Sequence, residues 1–219
     1  REIFYHNGWH NIVGFHTRNI PHNGHEYIQK KALELSNADA ILLSPVTGKK
    51  KAGDFKTDII VECYKTLINN EIYKPNNVLL SAFNTYSRYA GPREAVFTAI
   101  CRKNFGCNYF IVGRDHTGVG SYYSPDASIK IFDKIDLGVE ILPFNTVSYC
   151  KNRKIVTNNF IGPKYEKSKI EISGTVIRNL LEEGNEIPSY LLRSELGNIL
   201  EEAYNKNSNE VFYGLSKKI

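Results

Sequence analysis

Methionine is absent from all 219 residues, and Trp9 is the single tryptophan. At ordinary usage of about 2%, a chain of this length carries roughly five methionines. An open reading frame begins with one and this chain begins with Arg1, so the expectation is a processed chain or a piece of something longer. Long hydrophobic runs are also lacking. With no stretch of about 18 apolar residues, no membrane partner is expected. Residues 1–15 lack the basic segment and apolar core of a secretory signal. Cysteine is sparse: Cys63, Cys101, Cys107 and Cys150 form no C-x-x-C pair and meet no histidine at zinc-finger spacing. They read as free thiols in a reducing cytoplasm, with no structural metal. Excess charge of one sign is small, 28 Lys+Arg against 23 Asp+Glu, far short of the stripe a nucleic-acid binder carries. The one basic run, Lys49-Lys50-Lys51, reads as a solvated loop that also draws anions. Internal repeats and low-complexity linkers are missing too.

What is present is a βα rhythm. Short apolar runs alternate with amphipathic stretches, the pattern of a parallel sheet with helices on its faces. Strands are expected at Asn11–His16, Ala40–Ser44, Val78–Ala82 and Tyr109–Gly113, with shorter ones at Val139–Leu142 and Thr146–Tyr149. Helices are expected at Gly24–Ser36, with Tyr27, Ile28, Ala32 and Leu35 on the buried face, and at Thr57–Asn69. Another runs from Pro92 to about Asn104, with Ala95, Val96, Ala99 and Ile100 inward; proline is well placed as its first residue. Near residue 165 the texture changes. Ser173–Glu183 reads as a helix closed by Gly184, and Ser194–Asn205 as a second. The expectation is an α/β catalytic domain over 1–165 and a small C-terminal helical lobe over 166–219.

Three constellations carry chemistry. The first is His16-Thr17-Arg18-Asn19-Ile20-Pro21-His22-Asn23-Gly24-His25, where the first strand gives way to the first helix. Unpaired N–H groups and a partial positive charge at a helix start favour phosphate, and Gly24 lets a ligand approach the backbone. Two histidines in an H-x-x-H spacing there can both donate to phosphoryl oxygens as charge moves onto a leaving group. A zinc reading lacks the HExxH glutamate. The second is Gly113-Arg114-Asp115-His116-Thr117-Gly118, a strand running into glycines and a basic residue. It suits backbone contact with a nucleotide, or a plain glycine turn with solvated charges. The third is Ile172-Ser173-Gly174-Thr175-Val176-Ile177-Arg178. Ser173 or Thr175 caps a helix, and the same hydroxyls and N–H groups, with Arg178 one turn in, suit a triphosphate tail.

A strand-end HxGH followed by ISxTxxR is the signature pair of the HxGH nucleotidylyltransferase superfamily. Phe15–Glu26, Ser44–Asp54, Arg88–Asn104, Tyr109–Tyr123 and Ile172–Leu181 together resemble the catalytic region of the ATP sulfurylase (sulfate adenylyltransferase) family, in the family's order from residue 1 to about 200. The resemblance implies a Rossmann-like nucleotidylyltransferase sheet. It also implies a substrate MgATP, which brings Mg2+ with it, and a sulfate oxygen attacking the α-phosphorus to expel pyrophosphate. It implies that Thr17, Arg18 and Asn19 form the catalytic loop, Arg18 gripping nucleophile and α-phosphate, while His22 and His25 steady the β and γ phosphates. Gly113, Arg114, Asp115 and His116 would contact the nucleotide, with Phe144 and Val147 near adenine. Such chemistry needs alignment and charge stabilisation more than a protein nucleophile.

Two departures fall on the acceptor side. The family has Gln where this chain has His16, and Ala where it has Thr117; both family residues touch sulfate, so His16, Arg18 and Thr117 are the expected sulfate contacts, with His16 also counted on the nucleotide side. Alternatives at this point are a related nucleotidylyltransferase using another oxyanion or a phosphorylated acceptor, and a nucleotide-binding paralogue without activity. Family members carry a further domain before the segment where this chain starts, so a homo-oligomer or part of a longer chain with an N-terminal domain is expected.

Overall fold

The computed structural model describes residues 1–113, 116, 122–159, 165 and 167–214. In chain order its elements are α1 (Glu2–His6), β1 (Ile12–Thr17), α2 (Asn23–Ser36), β2 (Ala40–Pro45), α3 (Thr57–Asn69), β3 (Val78–Leu80), α4 (Pro92–Phe105) and β4 (Tyr109–Gly113). There follow α5 (Ala127–Lys130), a 3-10 turn (Ile131–Lys134), β5 (Glu140–Phe144), β6 (Ser148–Cys150), β7 (Ile155–Thr157), β8 (Lys169–Glu171), α6 (Gly174–Glu182), α7 (Ser194–Lys206) and α8 (Ser208–Val211).

β1 through β5 form one parallel sheet in the order β3-β2-β1-β4-β5. β1 and β2 are buried along their whole length, so both strands read as nearly unbroken apolar runs. Alternate side chains serve opposite faces. Val13, Phe15, Ile41, Leu43 and Ile111 join the larger core with Ile28 and Ala32 of α2 and Ile59, Ile60, Cys63 and Leu67 of α3. On the other face Phe110 and Val112 pack with Ala99 of α4, and Ile12 and Leu42 with Phe4 of α1 and Cys107. The sheet is therefore α/β with helices on both faces, as the alternating pattern predicts. β1 neighbours β2 on one side and β4 on the other. The order reverses there, and a crevice opens beyond the carboxyl ends of β1 and β4, the usual ligand position in such sheets.

Two inward assignments fail. Leu35 is 62% exposed and Ile100 39% exposed. Ala95 and Ala99 are buried as expected, but the rest of the buried face of α4 is Pro92, Glu94, Thr98 and Arg102, so apolar periodicity pointed about one residue, roughly 100°, around the helix from the true face. β6, β7 and β8 make a small antiparallel sheet in the order β7-β6-β8. Only β6 overlaps a predicted strand, Thr146–Tyr149; β7 and β8, like it, have three residues each, too short to set a period. β8 pairs with β6, and Ile177, Leu181, Leu191, Leu192, Leu196 and Leu200 join the same core as β1 and α3. Arg193 clamps this segment to α2 through a two-pronged ion pair, its Nε and Nη2 donating to the Glu26 carboxylate at 2.8 and 3.0 Å.

Candidate functional site

The turn between β1 and α2 is fixed by its own side chains. Asn19 N–H donates to Thr17 Oγ1 at 3.0 Å, and Thr17 Oγ1 donates to Asn19 O at 3.2 Å. His22 is the N-cap of α2, its Nδ1 accepting the backbone N–H of His25 at 3.2 Å. The two imidazoles stack 3.8 Å apart at 18°. Their protons must sit on opposite nitrogens. His22 Nδ1 accepts, which leaves its proton on Nε2. His25 Nδ1 lies 3.0 Å from the carbonyl oxygen of Ile20 and can only donate to it, so the lone pair of neutral His25 is on Nε2. Burial holds both rings uncharged: His22 is well below its ordinary value and His25 falls to about 4.

Around this helix start lies a cavity of about 180 Å³ lined by His22, Gly24, His25, Gly113, Phe144 and Val147, among others. Six residues scattered over more than a hundred positions of sequence thus meet at the sheet's switch point. A Cβ on Gly24 would stand 3.1 Å from His22 Nδ1, so glycine keeps the wall of the cavity open. Phe144 and Val147 are buried, which gives the far side an apolar surface suited to a flat heterocycle.

The third constellation arrives from the C-terminal segment. Ser173 caps α6, its Oγ accepting the N–H of Val176 at 3.3 Å. The start of α6 presses on the β1 turn: a Cβ on Gly174 would lie 2.3 Å from the Asn19 carboxamide. Arg178 reaches across to Gly53, where a Cβ would meet its Nη1 at 3.0 Å; Gly53 has φ +81°, a conformation that favours glycine. Thr175 is exposed on the first turn. Arg18 is positioned from the same side: Nη1 donates to both Asp54 carboxylate oxygens at 3.0 and 3.1 Å, and the guanidinium lies 5.0 Å from the Tyr89 ring centre. Tyr89 in turn donates to Asp54 at 2.7 Å.

Sequence reasoning assigned no role to Asp54, Tyr89, Glu94 or Arg102. Glu94 pins the turn before α4 by accepting N–H groups of Arg88 and Ala90 at 3.0 to 3.1 Å, which sets Tyr89 against Asp54. The signal was there in the RYAGPRE and AGD segments, without a chemistry to attach to them. His16 ends the face of β1 turned toward α4, and Arg102 Nη2 lies 2.9 Å from its Nδ1. His116 lies 5.7 Å from His16, ring centre to ring centre, and its Nε2 is 3.2 Å from Thr98 Oγ1. Burial pushes His116 down to about 4 and His16 well below its ordinary value, with Arg102 the next cause for each. Arg114, Asp115 and Thr117 lie outside the described residues. Among the described residues, no three His, Cys, Asp or Glu side chains come close enough to hold a metal ion, all four cysteines are free, and no helix is long and apolar enough to cross a membrane.

The sulfate adenylyltransferase of Pyrococcus abyssi is 44% identical over 202 residues, covering 91% of this chain and 52% of that protein. The Ignicoccus hospitalis sulfate adenylyltransferase is 43% identical over 201 residues, covering 91% and 52%. The chain thus spans about half the length of the curated relatives it matches. Among solved structures, the hexameric APS kinase from Thiobacillus denitrificans superposes with TM-score 0.67 at 18% identity, over 93% of this chain and 38% of that one. The Plasmodium falciparum nicotinic acid mononucleotide adenylyltransferase complexed with NaAD gives 0.54 at 14% identity, over 89% and 96%. At such identities these two show the shared fold alone. The family model described as ATP-sulfurylase matches residues 1–203, and the chain belongs to that family.

Proposed function

We propose that this chain carries the adenylyl-transfer site of a sulfate adenylyltransferase, joining sulfate to the adenylyl group of ATP and releasing pyrophosphate. One observation carries this reading: the stacked His22 and His25 at the start of α2 share a cavity with Gly113, Phe144 and Val147. Adenine lies against Phe144 and Val147, and the triphosphate runs over the helix start, where N–H groups and the two imidazoles face it. Mg2+ enters with the triphosphate as MgATP. A sulfate oxygen attacks the α-phosphorus, the α–β bridging bond breaks, and pyrophosphate leaves with the charge that His22, His25 and Arg178 offset. Arg18 spans nucleophile and α-phosphate, held ready by Asp54 and Tyr89, with Thr17 and Asn19 setting the loop. Ser173 and Thr175 stand by the triphosphate, Arg114, Asp115 and His116 by the nucleotide, and His16 and Thr117 by the acceptor. Catalysis here is alignment and charge placement, with no covalent protein intermediate.

The same reading places the protein in the cytoplasm, supported by its four free cysteines, as a homo-oligomer or part of a longer chain. His16 supports a second acceptor class, a phosphorylated alcohol or another oxyanion, because an imidazole presents one donor where a carboxamide presents two. The test is pyrophosphate release from MgATP by the native full-length protein with sulfate, molybdate, phosphate and alkyl phosphates in parallel. Sulfate and molybdate stimulate release if the reading is right. Stimulation by alkyl phosphates alone supports the second acceptor class. Nucleotide binding by calorimetry without release under any anion contradicts adenylyl transfer.

A further inference from the structure

Arg102 is fully buried, and among the described residues no carboxylate pairs with it. Its guanidinium lies 4.4 Å from the centre of Phe83 and 5.7 Å from that of Phe105, and its Nη2 is 2.9 Å from His16 Nδ1. A buried, uncompensated cation is costly, and the sequence makes room for it. A Cβ on Gly14 would sit 3.0 Å from Arg102 Cγ and 3.2 Å from Cys107 Sγ, so glycine gives the side chain its room to run beneath β1 to His16.

The hydrogen bond has one possible direction. A guanidinium only donates, so Nδ1 of His16 holds a lone pair and the ring proton is on Nε2. That Nε2 is buried and, among the described residues, has no partner. His16 is the residue before the Thr17-Arg18-Asn19 turn, and among the described residues the charged or titratable groups facing it are Arg102 from α4, His116 beyond β4, and Arg18. A donor that no described residue partners, with cationic and uncharged described groups around it, is complementary to an anion oxygen. With the opposite tautomer the same position would present a lone pair and repel one.

We propose that Arg102 is a positioning residue which fixes the ring proton of His16 on Nε2, and that this N–H is a hydrogen-bond donor to the acceptor anion. The anion's identity as sulfate rests on the function proposed above; the tautomer does not. The site then offers a donor that does not depend on pH near neutrality, because Arg102 and burial keep a second proton off the ring.

Nitrogen-15 spectroscopy of the full-length protein, with His16 assigned through His16→Gln, reads the tautomer directly. The expected result is a lone pair on Nδ1 and a proton on Nε2 throughout the neutral range, with the Nε2 resonance moving when sulfate is added beside a non-hydrolysable MgATP analogue. Arg102→Met is expected to abolish the preference and raise KM for sulfate about tenfold to a hundredfold, the range for a hydrogen bond to a charged group, leaving KM for MgATP within about twofold. Arg102→Lys keeps one donor and restores both properties in part. If Arg102→Met does not fold, the wild-type spectrum and Arg102→Lys decide. A proton on Nδ1 in the wild type, an Nε2 resonance blind to sulfate, or both KM values rising together in Arg102→Lys would overturn the proposal. Should no anion drive pyrophosphate release while the tautomer still follows Arg102, adenylyl transfer fails and the Arg102–His16 coupling stands.

Discussion

His22 and His25 occupy equivalent-looking places in a short motif and yet hold their protons on opposite nitrogens. His22 offers an N–H to a phosphate as it stands, whereas His25 has to take up a proton on Nε2 first. Its own value is about 4, so at neutral pH it is uncharged until a triphosphate or pyrophosphate draws the proton in. Pyrophosphate binding is therefore expected to take up protons, more of them as the pH falls below 7. Calorimetry in buffers of different ionisation enthalpy measures this, and equal apparent enthalpies in all buffers would contradict it. Arg18→Ala is expected to lower turnover about a thousandfold or more. The ion pair with Asp54 is partly open to solvent on the Arg18 side, so stability should fall by only about 1 kcal/mol; kinetics beside denaturant unfolding separate the two effects. At this scale the HNGH pair stood out by its spacing at a strand-to-helix junction, and the roles of Thr17, Arg18 and Asn19 came from the family resemblance alone. Arg102 was not legible, because an arginine on a helix is ordinarily a surface residue. What makes it exceptional here, the missing Cβ of Gly14, is a contact between residues 88 positions apart in the sequence.

Among the elements, the parallel strands were legible because a strand buried on both faces has to be apolar throughout. β7 and β8 escaped notice because three residues carry no period. α4 is the instructive case. Its limits agree with the expectation to within a residue, but its buried face holds Glu94, Thr98 and Arg102, polar side chains placed by specific tertiary contacts and so invisible to hydrophobic periodicity. The joint between α6 and the β1 turn has a similarly local requirement. Because Gly174 faces Asn19 with no room for a methyl group, Gly174→Ala is expected to displace the Asn19 side chain and cost about a hundredfold in turnover. A melting temperature lowered in proportion to the activity would place the defect in the fold instead of the site.

For the whole molecule, four histidines are held uncharged inside the crevice, His16, His22, His25 and His116. Unfolding exposes them, and each then binds a proton at about pH 6.5. Between that value and about 4, where His25 and His116 titrate in the folded protein, the unfolded chain holds more protons. Stability therefore rises with pH across this window, is fully present above it, and is lost as the pH falls. Thermal melts at pH 7, 6 and 5 should show Tm dropping before the carboxylates titrate, and a flat profile would contradict the buried, uncharged crevice.

The central claim is that this crevice transfers an adenylyl group to sulfate. Incubating the native full-length protein with MgATP and radiolabelled sulfate, then separating the products, tests it most directly. The account predicts label in an adenosine-containing mixed anhydride together with one pyrophosphate per molecule formed, both abolished by Arg18→Ala. ATP bound without any label entering such a product would contradict it.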